Sequence, residues 1–121
     1  MSKTATVDIV VNVQGDGTNE SWRLSTYAPI SLTDSPGTRV SIALSAGFNS
    51  IPLMLSADGG KPNYFLALPP STSTNVKTLK GVTGDTGKSF TAQPFLIPIQ
   101  STDTAIGITS TTNETIMGYF L

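Results

Sequence analysis

Hydrophobic and polar residues alternate from the start of the chain. Ala5, Val7, Ile9, Val11 and Val13 fall on one face, with Thr4, Thr6, Asp8 and Asn12 on the other. Period-two alternation predicts a half-buried strand. Gln14–Asn19 is a turn cluster, and Trp22 and Leu24 open a second strand that Pro29 interrupts. Ile30–Leu32 is a short alternating remnant before the turn residues Asp34-Ser35-Pro36-Gly37. Val40, Ile42 and Leu44 then alternate with Arg39, Ser41 and Ala43. Ser45–Ser50 reads as a connection. Ile51, Leu53 and Leu55 predict the next strand, with Pro52 placing it at an edge or a strand start.

The second half repeats this rhythm. Tyr64–Leu68 is a short strand stopped by Pro69-Pro70. Val76–Val82 is a strand whose Lys77 and Lys80 are expected half-exposed. Phe90–Ile99 is apolar but carries Pro94 and Pro98, which predicts a bent, edge-like segment. Ala105–Ile108 and Ile116–Leu121 close the series, with Thr111–Glu114 between them as a turn. No segment has the helical period. About eight short strands with regular turn signals predict an all-β fold, a β-sandwich, jelly-roll-like fold or small barrel. The chain of 121 residues fits a single domain spanning 1–121. The expected core includes Val7, Ile9, Val11, Val40, Ile42, Leu44, Leu53 and Leu55.

Composition narrows the function. Charged residues are only 12% of the chain, and seven Lys and Arg against eight Asp and Glu leave a net charge of −1. Nucleic-acid binding requires a dense basic face, so none is expected. Serine and threonine supply the polarity instead, which suits strands and turns. No apolar run approaches the roughly 20 residues of a membrane helix, and no apolar segment follows Met1-Ser2-Lys3-Thr4 as a secretory signal would.

The chain has no histidine and no cysteine. The usual general base, zinc ligands and nucleophilic thiol are thereby missing. The acids Asp8, Asp16, Glu20, Asp34, Asp58, Asp85, Asp103 and Glu114 stand mostly in turns, where such side chains cap their own backbone. Asp16-Gly17-Thr18-Asn19-Glu20 resembles a calcium loop but lacks its twelve-residue spacing. Gly84-Asp85-Thr86-Gly87 reads as a turn. Asn19-Glu20-Ser21 and Asn113-Glu114-Thr115 fit the glycosylation pattern, which has no role without a secretory route. Aromatic residues inside strands are expected in the core, with Tyr27 and Phe48 beside breaks and more exposed. These features predict a non-enzymatic protein with no catalytic residue, metal or cofactor.

Three segments carry a resemblance. Thr78-Leu79-Lys80-Gly81-Val82-Thr83-Gly84-Asp85-Thr86-Gly87, then Pro94-Phe95-Leu96-Ile97-Pro98, then Gly118-Tyr119-Phe120-Leu121 resemble small β-rich structural proteins of tailed bacteriophages. The resemblance implies a virion component, such as a capsid decoration or tail- or fibre-associated protein. It implies a homo-oligomer, a trimer above a dimer, docked on a major capsid or tail protein. The competing expectation is a carbohydrate- or receptor-binding module that takes a surface glycan on exposed aromatics. Phe95, Leu96, Ile97 and Ile99 form the candidate interface, because a bent edge in one thin domain offers them little cover.

Overall fold

The computed structural model describes residues 3–8, 10–13, 22–25, 30–80 and 87–121. They form β1 (Lys3–Val7), β2 (Val10–Val13), β3 (Trp22–Ser25), β4 (Ile30–Ser35), β5 (Thr38–Leu44) and β6 (Gly47–Pro52). These are followed by β7 (Tyr64–Leu68), β8 (Lys77–Lys80), β9 (Lys88–Phe90), β10 (Phe95–Pro98), β11 (Ala105–Ser110) and β12 (Glu114–Phe120). The fold is all-β, every pairing is antiparallel, and no helix occurs among the described residues.

Two four-stranded sheets make a small β-sandwich. Sheet I runs β10-β7-β12-β5 and sheet II runs β6-β11-β8-β9. One hydrophobic cluster takes residues from both: Ile42, Leu44, Phe65, Ala67, Ile116 and Phe120 from sheet I, Ile51, Ile106 and Ile108 from sheet II. Each is an alternate residue of its strand, so the period-two pattern becomes two inner faces packed together. Burial of each large side chain contributes roughly 1.5–3 kcal/mol. Two further ribbons, β1-β4 and β2-β3, complete the described strands.

Close packing sets local residue choice. A Cβ on Gly118 would lie 2.6 Å from Ile42 Cδ1 and 2.9 Å from Phe65 Cε1, so only glycine lets β12 run between those side chains. Gly37 turns the chain from β4 to β5 at φ 49°, with its N–H donating to Ser35 Oγ at 3.1 Å.

Several expectations need correction. Among the described residues, twelve strands stand where about eight were expected. The first alternating run divides into β1 and β2, which pair with β4 and β3 respectively. Gly47–Pro52 is β6 and not a connection, because Ser45 and Ala46 alone turn the chain. They do so with Asn49, whose Oδ1 accepts from Ser45 N at 3.0 Å while its Nδ2 donates to Ser45 O at 2.9 Å. β6 then ends at Pro52, so Leu53 and Leu55 lie beyond the strand. Leu53 is partly buried against the core, but Leu55 is 53% exposed and is not a core residue. Glu114 opens β12 and is not part of the turn before it. Val7, Ile42 and Leu44 are buried as expected, and Val40 packs against the core. Ile9 and the side chain of Val11 lie outside what is described.

Candidate interaction surfaces

The outer faces of the two sheets differ in chemistry. On sheet I, Tyr64, Leu66 and Leu68 alternate with buried Phe65 and Ala67. Cross-strand register places Leu66 between Leu96 and Tyr119, and Leu68 beside Met117. Residues directly opposite share a face, so Tyr64, Leu66, Leu68, Leu96, Met117 and Tyr119 form one outward apolar and aromatic patch. Most are half-buried, and Leu68 is 36% exposed. On sheet II the corresponding rung runs Phe48–Thr109–Thr78–Ser89. There Thr78 Oγ1 and Ser89 Oγ lie 3.2 Å apart, and the hydroxyls bond to each other.

The sandwich has two lateral sides, each with an opening. At one side a cleft of ≈ 400 Å³ lies between β9 and β10, lined by Leu79, Phe90, Pro94, Phe95 and Ile97 among others. An aromatic row leads into it: Phe120–Phe65 centroids are 4.9 Å apart, Phe65–Phe95 6.2 Å, and Phe95–Phe90 4.5 Å edge-on. At the other side a groove of ≈ 450 Å³ lies between β5 and β6, with Val40, Ile42, Ile51 and Met54 in its wall. Phe48 stands on this side, 37% exposed as expected, although it lies within β6 and not beside a chain break.

The four candidate interface residues divide. Phe95 and Ile97 lie opposite Ala67 and Phe65 and pack, with Ile99, against the core. Leu96 lies opposite Leu66 and joins the outer patch. All four are half-buried. The prolines place β10 at the edge of sheet I, as edge chemistry requires.

Sequence reasoning missed a buried ion pair. Lys77 was expected half-exposed, yet it is fully buried. It shares the inner face with Leu79, two residues on, and lies opposite Ser110 and Phe90. Its Nζ donates to Ser73 Oγ at 3.0 Å, Asn75 O at 2.9 Å and Glu114 Oε1 at 2.5 Å. All three ammonium protons are therefore used. Ser73 Oγ donates to Glu114 Oε2 at 2.6 Å, and the Phe90 ring centroid lies 5.5 Å from Nζ. Asn75 Oδ1 accepts from Thr111 Oγ1 and Thr112 N, while its Nδ2 donates to Ser110 Oγ at 2.9 Å. Burial pushes the Glu114 carboxyl up, but hydrogen bonds from Lys77 and Ser73 and the Lys77 charge outweigh it and hold it below the ordinary value. The pair ties β8 of sheet II to β12 of sheet I. With every proton engaged, this cluster is a clamp, not a nucleophile and base. The available signal was parity, since Lys77 follows the step of inward Leu79.

Other acids have local roles. Asp103 Oδ2 accepts from Gln100 N at 2.8 Å, and Lys61 Nζ staples the same turn through the carbonyls of Ser101 and Asp103, each at 2.7 Å. Among the described residues, no three acidic side chains come together as metal ligands. The calcium-like loop Asp16–Glu20 and the turn residues Gly84–Thr86 lie outside the described residues, as does Tyr27. Comparison with known proteins returned no matching family model, no matching curated protein and no matching solved structure.

Proposed function

We propose that this chain is a non-enzymatic structural module that assembles through its surface, with the bacteriophage virion as the setting that the resemblance of its C-terminal segments implies. The observation that carries this reading is the outer face of sheet I. Tyr64, Leu66, Leu68, Leu96, Met117 and Tyr119 lie together on a face that in an isolated antiparallel sandwich is ordinarily polar. Contiguous apolar patches of this kind mark association sites. The low charge of the chain removes most electrostatic opposition to packing copies together. The partners are other copies, in the trimer that the resemblance implies, and a capsid or tail protein.

The test is the double substitution L68D/L96D. Both side chains point outward, so the variant keeps its far-ultraviolet circular dichroism. It is expected to lose the trimer that the wild type forms through this face in sedimentation velocity. A wild type that stays monomeric, alone and with purified capsid or tail protein of the same virus, overturns the reading. A second reading, glycan binding, rests on exposed Phe48 beside Asn49, Ser50 and Ser41. Glycan-array binding that Phe48→Ala abolishes would favour it.

A further inference from the structure

Antiparallel ladders fix which way each backbone points. Within a strand, the N–H and C=O of a residue share a side, and successive residues alternate sides. Leu121 N donates to Tyr64 O at 2.9 Å, and Tyr64 N to Leu121 O at 3.1 Å. On β12, Met117 and Tyr119 therefore address β7, while Glu114, Ile116, Gly118 and Phe120 address β5. Their β5 partners are Leu44, Ile42, Val40 and Thr38. Arg39, Ser41 and Ala43 consequently turn their N–H and C=O groups to the open edge of sheet I.

The same parity at the other edges gives a different result. Tyr64 and Leu66 address β12, so Phe65 and Ala67 address β10 and bind Ile97 and Phe95. Ile99 N donates to Asn63 O at 2.8 Å, in step with this. The open side of β10 thus carries Leu96 and Pro98, preceded by Pro94. Proline has no N–H, so Leu96 offers the lone donor there. On sheet II, Thr111 N donates to Val76 O at 3.2 Å, which sends Phe48, Ser50 and Pro52 to the open side of β6. β9 is three residues long, with Ser89 alone facing out. Among the described edges of the sandwich, β5 is the one that is long and carries no proline.

We propose that the β5 edge pairs with β5 of a second copy, antiparallel about a two-fold axis at Ser41, to continue sheet I across two subunits. This contact is separate from the apolar face and does not depend on it. The occupant follows from the edge itself. Three residues with outward N–H and C=O meet the same three in the partner, which gives about six hydrogen bonds. In this register Arg39 lies across from Ala43 of the other copy, and Ser41 across from Ser41. The guanidinium then faces a methyl group and not a like charge. The outward side chains of Arg39, Ser41 and Ala43 are exposed, so none crosses the edge to block it. Below the new ladder, Val40 and Ile42 of each copy cover the apolar groove between β5 and β6.

With the apolar face disabled by L68D/L96D, sedimentation velocity from low micromolar to near-millimolar concentration is expected to show a monomer–dimer equilibrium. S41P removes the central donor from both strands and no internal bond, and should weaken pairing roughly tenfold or more. S41K sets two ammonium groups across the axis and should weaken pairing in a way that added salt relieves. The chain has no cysteine of its own, so S41C tests the register directly. Paired Cα atoms at about 5.5 Å lie within disulfide reach, and mild oxidation should give a covalent dimer that a cysteine at the exposed turn residue Thr102 does not. An L68D/L96D chain that remains monomeric overturns the proposal, as does a folded S41P version that pairs like it. If S41P and S41K do not fold, S41C decides: no covalent dimer refutes the pairing. L68D/L96D leaves S41C cross-linking intact, so failure of the apolar-face reading is told apart from failure of this one.

Discussion

The two lateral sides of the sandwich close in opposite ways. At the β9–β10 side, protection comes from side chains and proline. Phe95 and Phe90 meet edge-on, Lys77 lies buried beside Phe90, and Pro98 removes a donor from the outer strand. At the β5–β6 side, the inner face is equally apolar, but β5 leaves the backbone of Arg39, Ser41 and Ala43 open. The comparison teaches that an edge is defined by its backbone donors and not by how apolar it looks. Phe95, Leu96, Ile97 and Ile99 read as the sticky segment in the sequence, yet three of them are spent on the core. The plain Arg-Val-Ser-Ile-Ala stretch of β5 carries the more available surface.

The closed side should fail most severely when its clamp is cut. Lys77→Met leaves the Glu114 carboxylate without its cation, and loss of one partner from a buried pair costs about 3–5 kcal/mol. Chemical denaturation should register that loss directly, and a change within about 1 kcal/mol would show the pair to be incidental. The same clamp gives a pH signature. The folded Glu114 value lies below its unfolded value, so its contribution is present above the unfolded carboxylate range and is lost as pH falls through the folded value. Wild-type melting temperature should therefore drop more steeply on acidification than that of Glu114→Gln, and parallel curves would remove Glu114 from the account.

A gain of function comes next. The double variant P94S/P98V restores two N–H donors to the β10 edge without touching its inward side chains. It is expected to associate more than the wild type, with little loss of stability, because the proline groups face away from β7. Unchanged association would show that the prolines serve only the bend. The smallest effect on stability belongs to S41P. An outward edge position tolerates proline, so its unfolding free energy should change by less than about 1 kcal/mol, even though pairing is lost. A larger drop would place Ser41 N–H inside the fold and reverse the parity assigned to β5.

Much of this architecture was legible in the sequence, and the failures share one cause. Period-two alternation gave the fold class and the inward set Ile42 and Leu44, because sheet packing rewards it directly. The edge position of β10 followed from Pro94 and Pro98. What alternation cannot see is pairing. It ran Ile51 on to Leu53 and Leu55, although the strand loses its partner at Pro52↔Ala105. It joined Val7 to Val11 across a change of partner strand. Lys77 was misjudged because residue type was allowed to overrule parity, when Glu114 from the opposite sheet was available to neutralise it. The outer patch of sheet I was hidden for the same reason, since Leu66, Leu96 and Tyr119 become neighbours only through register.

The difference between the two sides is tested most directly by residue-resolved amide exchange at two protein concentrations. In dilute solution the amides of Arg39, Ser41, Ala43 and Leu96 should exchange rapidly, while Val40, Ile42 and Ile97 are protected by their ladders. At high concentration, protection should rise at Arg39, Ser41 and Ala43 and stay low at Leu96. Protection of the three β5 amides in the dilute monomer, or a rise confined to Leu96, would contradict the account.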